Sequence, residues 1–135
     1  MKKSKFIKGL LIGVLFLGLA IFSYNYIFKG HRNIETENPL YSVNSFDFIR
    51  EFKLNTEVSN EKYLDRTIRI TGLLTSIDNS MLEIDGSINC YFESILNKND
   101  HLLNTKIVVK GRCLGYDDLM EEIKFDQCVV IKTNE

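Results

Sequence analysis

The hydrophobic positions along the chain form three successive patterns. Residues 9–28 are a run of twenty without a charged side chain. Across residues 45–63, apolar side chains recur every three or four positions, and after Asp65 they alternate with polar ones. A run of this length can cross a bilayer core of about 30 Å as a helix. Three-to-four spacing is typical of amphipathic helices, and alternation is typical of strands. We therefore predict a transmembrane helix, a second helix and a β-rich domain, in that order.

The alternating region divides into five short strands separated by turn sequences. The turns include Asp-Asn-Ser and Asp-Gly, and the longest connection separates the third strand from the fourth. Evenly spaced short strands are typical of sandwiches and small barrels. Five strands with a break before the fourth match a five-stranded Greek-key barrel of the OB type, so we predict that mainly β fold with one preceding α-helix. The predicted strands are residues 67–74, 81–85, 88–92, 106–112 and 122–132.

Gly72 lies inside the first predicted strand, between two apolar stretches. A glycine within a strand often marks a bulge or a sharp bend. Because the first strand of a small closed barrel has to pair on both of its sides, we predict that it bends at this glycine.

The patterns divide the chain into four segments. Residues 1–8 are predicted to be a basic cytoplasmic tail, and residues 9–28 a transmembrane helix. Residues 29–43 are polar, lack sustained periodicity and contain an Asn-Pro pair, which favours a linker. Residues 44–133 then form the OB-fold domain.

The charges that flank the apolar run predict its orientation. Four lysines precede the run, whereas Lys29 and Arg32 follow it. Because the more basic flank of a membrane helix stays in the cytoplasm, we expect a single-pass membrane protein with an extracytoplasmic domain, periplasmic in a Gram-negative cell. A cleaved signal peptide is the alternative. The basic start fits a signal peptide, but the run is longer than a usual h-region and no A-x-A-like site follows it.

The net charge of −1 hides a strong asymmetry. Residues 1–32 carry six basic side chains and no acidic one, whereas residues 33–135 carry eleven Lys/Arg against eighteen Asp/Glu, a net charge of −7. Nucleic-acid binding depends on basic side chains that neutralise phosphates. The acidic domain therefore argues against a nucleic-acid partner.

The segment from Asn55 to residue 132 resembles the tRNA-anti-like family of OB-fold proteins, whose members often carry an N-terminal membrane segment. The resemblance implies an OB barrel related to anticodon-binding domains, and it carries over no catalytic residue. The residues that match the family pattern are Asn55-Thr56-Glu57-Val58, Tyr63, Ile70-Thr71-Gly72, Ile77-Asp78, Cys90-Tyr91-Phe92, Val109-Lys110-Gly111-Arg112-Cys113 and Cys128-Val129-Val130.

A binding surface on such a barrel would combine basic side chains with an aromatic platform. An OB fold that binds single-stranded nucleic acid needs a positive groove in which bases stack on aromatic rings. The alternative interpretation is a set of ordinary solvated charges beside a cross-strand aromatic ring. The candidates on the exposed barrel face are Arg69, Tyr91, Lys110 and Arg112.

The three cysteines leave two interpretations open. Cys113 closes the fourth predicted strand and Cys128 lies in the fifth, which should be its hairpin partner. In an oxidising compartment a disulfide between them is plausible. Strict alternation, however, places Cys128 on the other face of its strand from Phe125, so the pairing would need a bulge. Two buried thiols are the alternative. Cys90 shares a face with apolar neighbours and is predicted to lie in the core.

No motif in the sequence indicates catalysis or metal binding. His31 and His101 are far apart in sequence, and no C-x-x-C pair is present. The acidic residues between 117 and 122 lack the spacing of a Ca²⁺ loop and favour a solvated loop. We predict no enzyme activity, no cofactor and no metal. The leading hypothesis is a membrane-anchored, non-catalytic binding module that contacts a protein or another envelope component. The alternative is a domain that binds single-stranded, tRNA-like nucleic acid.

Overall fold

The structure is a computed structural model that describes residues 2–27, 33–101 and 103–131. The chain divides into two units, residues 1–32 and residues 33–135. Helix α1 (Lys2–Ile27) belongs to the first unit. By length and composition, its residues Lys3–Ile27 could span a membrane, and a signal sequence would share both properties. The predicted last residue of the span, Phe28, lies outside the described residues.

The described residues of the second unit form two α-helices and six strands. In chain order they are β1 (Tyr41–Asn44), α2 (Ser45–Leu54), α3 (Thr56–Tyr63), β2 (Thr67–Ile77), β3 (Met81–Ile84), β4 (Ile88–Tyr91), β5 (Lys106–Asp117) and β6 (Glu122–Val130). The connection between β4 and β5 contains a single 3₁₀ turn, Lys98–Asp100, among its described residues. Residue 132, the predicted end of the last strand, and residue 133, the predicted end of the domain, lie outside the described part of the chain.

Five of the strands close into a barrel, as the sequence predicts for an OB-type fold. The strand order is β2-β3-β4-β6-β5, and β5 pairs again with β2. The first half of β2 pairs with β5 and its last four residues pair with β3, so the strand has partners on both sides. A Cβ atom at Gly72, near the end of the region paired with β5, would collide with the side chains of Ser45, Ile84 and Asp85. The predicted fold class is confirmed, and the close approach of these side chains leaves no room for a Cβ atom at Gly72.

Strand β5 is longer than the sequence predicts. The predicted strand ends at Arg112, and residues 115–118 read as a turn. In the structure β5 continues to Asp117 and pairs with β6 through two register irregularities. Gly115 sits in one of these irregularities with φ +94°, a conformation that glycine adopts without strain. The glycine therefore marks a bulge within the strand rather than its end.

The predicted single helix at residues 45–63 is two helices that meet at Asn55. The Asn55 backbone is extended, and its side chain accepts a hydrogen bond from the Val58 amide at 3.1 Å, so the residue caps α3. Asn44 caps α2 in the same way, by accepting from Phe46 at 2.9 Å. Asparagine side chains favour this position because they satisfy amides that have no partner within the helix. A good N-cap inside the periodic region thus ends one helix and begins another.

Part of the predicted linker, residues 29–43, is structured. Strand β1 begins at Tyr41 and pairs in parallel with residues 68–71 of β2. Four residues with a half-exposed, half-covered pattern are too few to produce a recognisable alternation. Nearer the N-terminus, Ile34 is buried. The linker prediction is therefore wrong for these positions, while residues 29–32 lie outside the described part of the chain.

An aromatic cluster joins the two helices to the β5–β6 hairpin. The ring centroids of Phe48 and Phe52 lie 5.0 Å apart, and Phe48 lies 4.8 Å from Tyr63. Phe48 also lies 5.9 Å from Phe125 of β6, and Phe52 stacks on Tyr116 of β5 at 6.3 Å. Such pairs contribute roughly 0.5–1.5 kcal/mol each beyond the area they bury. The helices therefore form part of the barrel core.

Candidate binding cleft

Three of the four predicted binding residues lie side by side on the outer face of β2 and β5. Arg69 is directly opposite Lys110 in the antiparallel register, and Arg112 follows two positions further along β5. Tyr91 lies on β4, whose partners are β3 and β6, and its side chain is 39% exposed. Tyr91 therefore lies on a different part of the barrel wall from the other three candidates.

Lys110 and Arg112 are engaged within the domain. Lys110 is only 9% exposed, so the prediction that it lies on an exposed face is wrong. Its Nζ atom donates to the carbonyl oxygens of Glu35 at 2.7 Å and Glu37 at 2.9 Å, which pins this segment to β5. The Arg112 guanidinium donates to both carboxylate oxygens of Asp126, at 2.8 and 2.5 Å, and this pairing raises the Arg112 pKa.

Arg69 has a different environment. Its Nε atom is buried and has no hydrogen-bond partner among the described residues. A buried donor without a partner costs roughly 1–3 kcal/mol, and more when the group is charged. Arg69 also lines an open cleft of about 1130 Å³. Its burial and its place on the cleft wall could not be read from the sequence, because strand alternation predicts only that it faces outward.

The cleft lies where β4 ends and β5 begins. Its outer wall includes Arg69 and Thr71 of β2 and Val108 of β5. The β4–β5 connection contributes residues on either side of its 3₁₀ turn. The apolar part of the lining includes five residues that are buried or packed against the barrel core, namely Leu74, Phe92, Leu96, Ile107 and Val130.

The charges around the cleft are mixed. Arg69 and Lys106 contribute positive charge, and His101 also lines the cleft. Glu35 and Asp100 contribute negative charge. The described lining is therefore close to neutral, in contrast to the acidic balance of the domain. No sequence pattern associates His101 with Arg69, since thirty-one residues separate them.

The barrel wall near Tyr91 is acidic. Asn89 precedes Tyr91 on β4 and lies opposite Glu83 of β3 and Lys124 of β6. Lys124 donates to Asp117 at 2.5 Å, and this hydrogen bond lowers the Asp117 pKa and raises the Lys124 pKa. The β5–β6 loop carries two further acids and an apolar tip, where Leu119 is 95% exposed. This wall offers little attraction for a phosphate backbone.

The three cysteines are buried thiols in the structure. Cys113 is opposite Phe125, whereas Cys128 lies beside Cys90 and forms part of the cleft wall. Burial raises the pKa of Cys113 to about 11 and raises that of Cys128 as well. The Cys113–Cys128 disulfide remains a prediction, and the register does not bring the two residues opposite each other.

The described residues contain no group of three or more His, Cys, Asp or Glu side chains that could hold a metal ion. The cleft lining combines apolar side chains with polar and charged ones, and its volume is slightly above the range of about 300–1,000 Å³ that is typical of small-molecule sites.

Comparison with known proteins places these observations in a family. The model of the tRNA_anti-like family matches residues 1–128. No curated protein matches the chain. Among solved structures, the chain is similar to a protein from Klebsiella pneumoniae subsp. pneumoniae whose structure is described as that of a "putative nucleic acid-binding lipoprotein". The two chains share 12% identity with a TM-score of 0.53, and the match covers 67% of this chain and 91% of the other. At this identity the similarity supports the fold alone.

Proposed function

Because the chain belongs to the tRNA_anti-like family of OB-fold proteins, we propose that it is a non-catalytic binding module held at a membrane, which binds an envelope component in the cleft beside Arg69. The observation that carries the proposal is the position of Arg69, which lines the cleft and whose buried Nε atom has no hydrogen-bond partner among the described residues. A ligand with hydrogen-bond acceptors would bind the guanidinium of Arg69 from the cleft.

The chemistry of the cleft favours binding over catalysis. Cys128 is its one cysteine, and burial raises the pKa of that thiol, which makes it a poor nucleophile at neutral pH. Nucleophilic catalysis needs a side chain activated by a nearby base or by a lowered pKa. The raised pKa of Cys128 is the opposite of that requirement.

The membrane position is part of the proposal. Helix α1 has the length and composition of a membrane span. The basic residues before it, set against the positive-inside rule, favour a cytoplasmic N-terminus and an extracytoplasmic barrel. A reporter enzyme that is active only outside the cytoplasm, fused after Glu135, should be active. An inactive fusion, together with an active cytoplasmic reporter at the same position, would reverse the orientation.

Capture from membranes tests the binding function. The full-length chain, solubilised and purified from its native membranes, should retain a component that mass spectrometry identifies. The Arg69→Gln variant should lose this component. Arg66→Gln is the matched control, because Arg66 is an exposed arginine just before the same strand. Equal retention by the wild type and both variants, or no retained component, would contradict the proposed function.

Binding of single-stranded nucleic acid is the second candidate. The printed description of the structural neighbour names nucleic-acid binding for that protein. The engagement of Lys110 and Arg112 within this domain, and its net charge of −7, speak against the same role here. Binding of a single-stranded oligonucleotide that weakens steeply between 50 and 200 mM salt, about as expected when several phosphates are neutralised, would favour this candidate over the first.

A further inference from the structure

The cleft combines one unsatisfied cationic group with an apolar lining. From this combination we infer that its ligand is an amphiphile, in which a carboxylate or phosphate group binds Arg69 and an apolar chain lies along the barrel-derived residues of the cleft. This inference rests on the proposed function and adds the chemical class of the ligand.

The anionic head follows from Arg69. A guanidinium presents N–H donors in a fixed planar arrangement that matches the two oxygens of a carboxylate or a phosphate. Here the buried Nε atom lacks an acceptor among the described residues, although the opposite residue, Lys110, obtains two backbone carbonyls. The two neighbouring cations thus differ: the contacts of Lys110 are internal to the domain, whereas Arg69 lines a cleft that is open to a ligand.

The other charged groups limit how much negative charge the ligand can carry. Lys106 and His101 also line the cleft and add positive charge or hydrogen-bond donors to it. Glu35 and Asp100 also line the cleft and would repel a chain of phosphates. A ligand with a single anionic group fits this balance better than a nucleic acid does.

The apolar chain follows from the rest of the lining. Leu74 and Ile107 are buried core residues that reach the cleft, and Phe92, Leu96 and Val130 pack against the same core. Burying an aliphatic chain against such residues is favourable by about 0.8 kcal/mol per methylene. Among its described lining residues, Phe92 is the one Phe, Tyr or Trp side chain, which offers little for a series of stacked bases.

Amphiphiles of one chain length isolate the contribution of the head group. The full-length chain would be reconstituted in nanodiscs of zwitterionic lipid, and binding of labelled laurate, dodecyl phosphate and dodecanol measured by equilibrium dialysis, with empty nanodiscs subtracted. Laurate and dodecyl phosphate should bind, and uncharged dodecanol should bind at least about tenfold more weakly, since a charge-assisted hydrogen bond is lost. Arg69→Gln should lower laurate affinity at least about tenfold, whereas Arg66→Gln should leave it unchanged.

Two further experiments distinguish a bilayer lipid from a free fatty acid as the source of the anion, and test the role of the apolar lining. If the anion belongs to a bilayer lipid, nanodiscs that contain an anionic phospholipid should weaken laurate binding by competition; if it belongs to a free fatty acid, laurate binding should not change. Leu96→Trp, which fills part of the apolar lining, should weaken laurate and dodecanol alike, and a thermal unfolding curve checks that this variant is folded.

Three outcomes would overturn the inference. Equal affinity of laurate and dodecanol would remove the role of the anionic head, and equal laurate affinity in wild type and Arg69→Gln would remove the role of Arg69. Arg69-dependent binding of an oligonucleotide or a peptide without binding of laurate or dodecyl phosphate would show that the ligand class is wrong. In that last case, a component captured from membranes through Arg69 would leave the proposed function standing. If no such component were captured either, both would fail.

Discussion

The hydroxyl of Tyr63 donates a 2.7 Å hydrogen bond to Oε2 of Glu51, which joins helix α3 to helix α2. The other carboxylate oxygen of Glu51 accepts from Lys62 at 2.7 Å, and the Lys62 ammonium lies 4.6 Å from the centre of the Tyr63 ring. The hydrogen bond from Lys62 is the main reason that the Glu51 pKa is lowered, with a smaller contribution from Tyr63. One carboxylate therefore holds two residues of the next helix.

Replacing Glu51 with glutamine should weaken this connection in a pH-dependent way. The Glu51 side chain is 40% exposed, so we expect a loss of only about 0.5–1 kcal/mol in the free energy of unfolding at pH 7. A carboxyl whose folded pKa is lowered stabilises the fold above its unfolded pKa, and that contribution is lost as the pH falls through the folded pKa. The difference between wild type and E51Q should therefore be full above about pH 5 and shrink in more acidic solution.

Urea unfolding of the full-length chain in detergent, followed by tyrosine fluorescence between pH 3 and 7, measures this difference. Glu57→Gln is the control, since Glu57 is exposed on α3. A wild-type to E51Q difference that stayed constant across this range would show that Glu51 contributes no linked proton.

Features of the fold could be predicted from the sequence where they depend on neighbouring residues, and were harder to predict where they depend on residues far apart in the chain. The pairing of β2 on both sides was predicted from the closed barrel and is confirmed, whereas the predicted bend at Gly72 stays a prediction, since the register irregularity lies between Leu74 and Ser76. The break at Asn55 was missed, although its signal is local, because periodicity alone continues across it. The burial of Lys110 was not predictable, since it depends on a turn more than seventy residues earlier in the chain. The position of Arg69 in a cleft likewise depends on the β4–β5 connection, which has no periodic signal.

Gly111 should tolerate no side chain. A Cβ atom there would lie 2.6 Å from Sγ of Cys128 and 3.2 Å from the carbonyl oxygen of Asp126. Because that carbonyl belongs to the paired backbone of β6, Gly111→Ala should destabilise the domain by about 1–3 kcal/mol. Removing the sulfur in the double variant Gly111→Ala/Cys128→Ala should recover part of this loss. The midpoint of urea unfolding for the two single variants and the double variant measures the coupling, and strictly additive losses would contradict the proposed contact.

The cysteines should react slowly in the folded protein. Burial raises the pKa of Cys113 to about 11, so its reactive thiolate form is scarce at pH 8. The Cys128 thiol is also held protonated by burial, and Cys90 is buried beside it. Iodoacetamide at pH 8 should leave the three thiols unmodified in the native chain and label them after denaturation.

Peptide mapping of the oxidised protein tests the pairing separately. The neighbouring positions of Cys90 and Cys128 lead us to expect that any intramolecular disulfide joins these two residues. A Cys113–Cys128 bridge would show that the β5–β6 register differs from the one described, because that register pairs Cys113 with Phe125.

Substitutions of Lys110 and of Arg69 should affect stability and ligand binding in different ways. Lys110→Met removes the donor that holds the carbonyls of Glu35 and Glu37. We expect this change to lower the free energy of unfolding by roughly 1–3 kcal/mol, since buried acceptors lose their partner, and to expose residues 33–37 to limited proteolysis.

Arg69→Gln should have the opposite profile, with lower ligand retention and stability equal to or above that of the wild type, because a buried charged donor without an acceptor is removed. Unfolding midpoints and retention of the membrane component, measured on the same preparations, would distinguish the two profiles. A Lys110→Met variant that kept full stability but lost the ligand would instead show that Lys110 contributes to ligand binding.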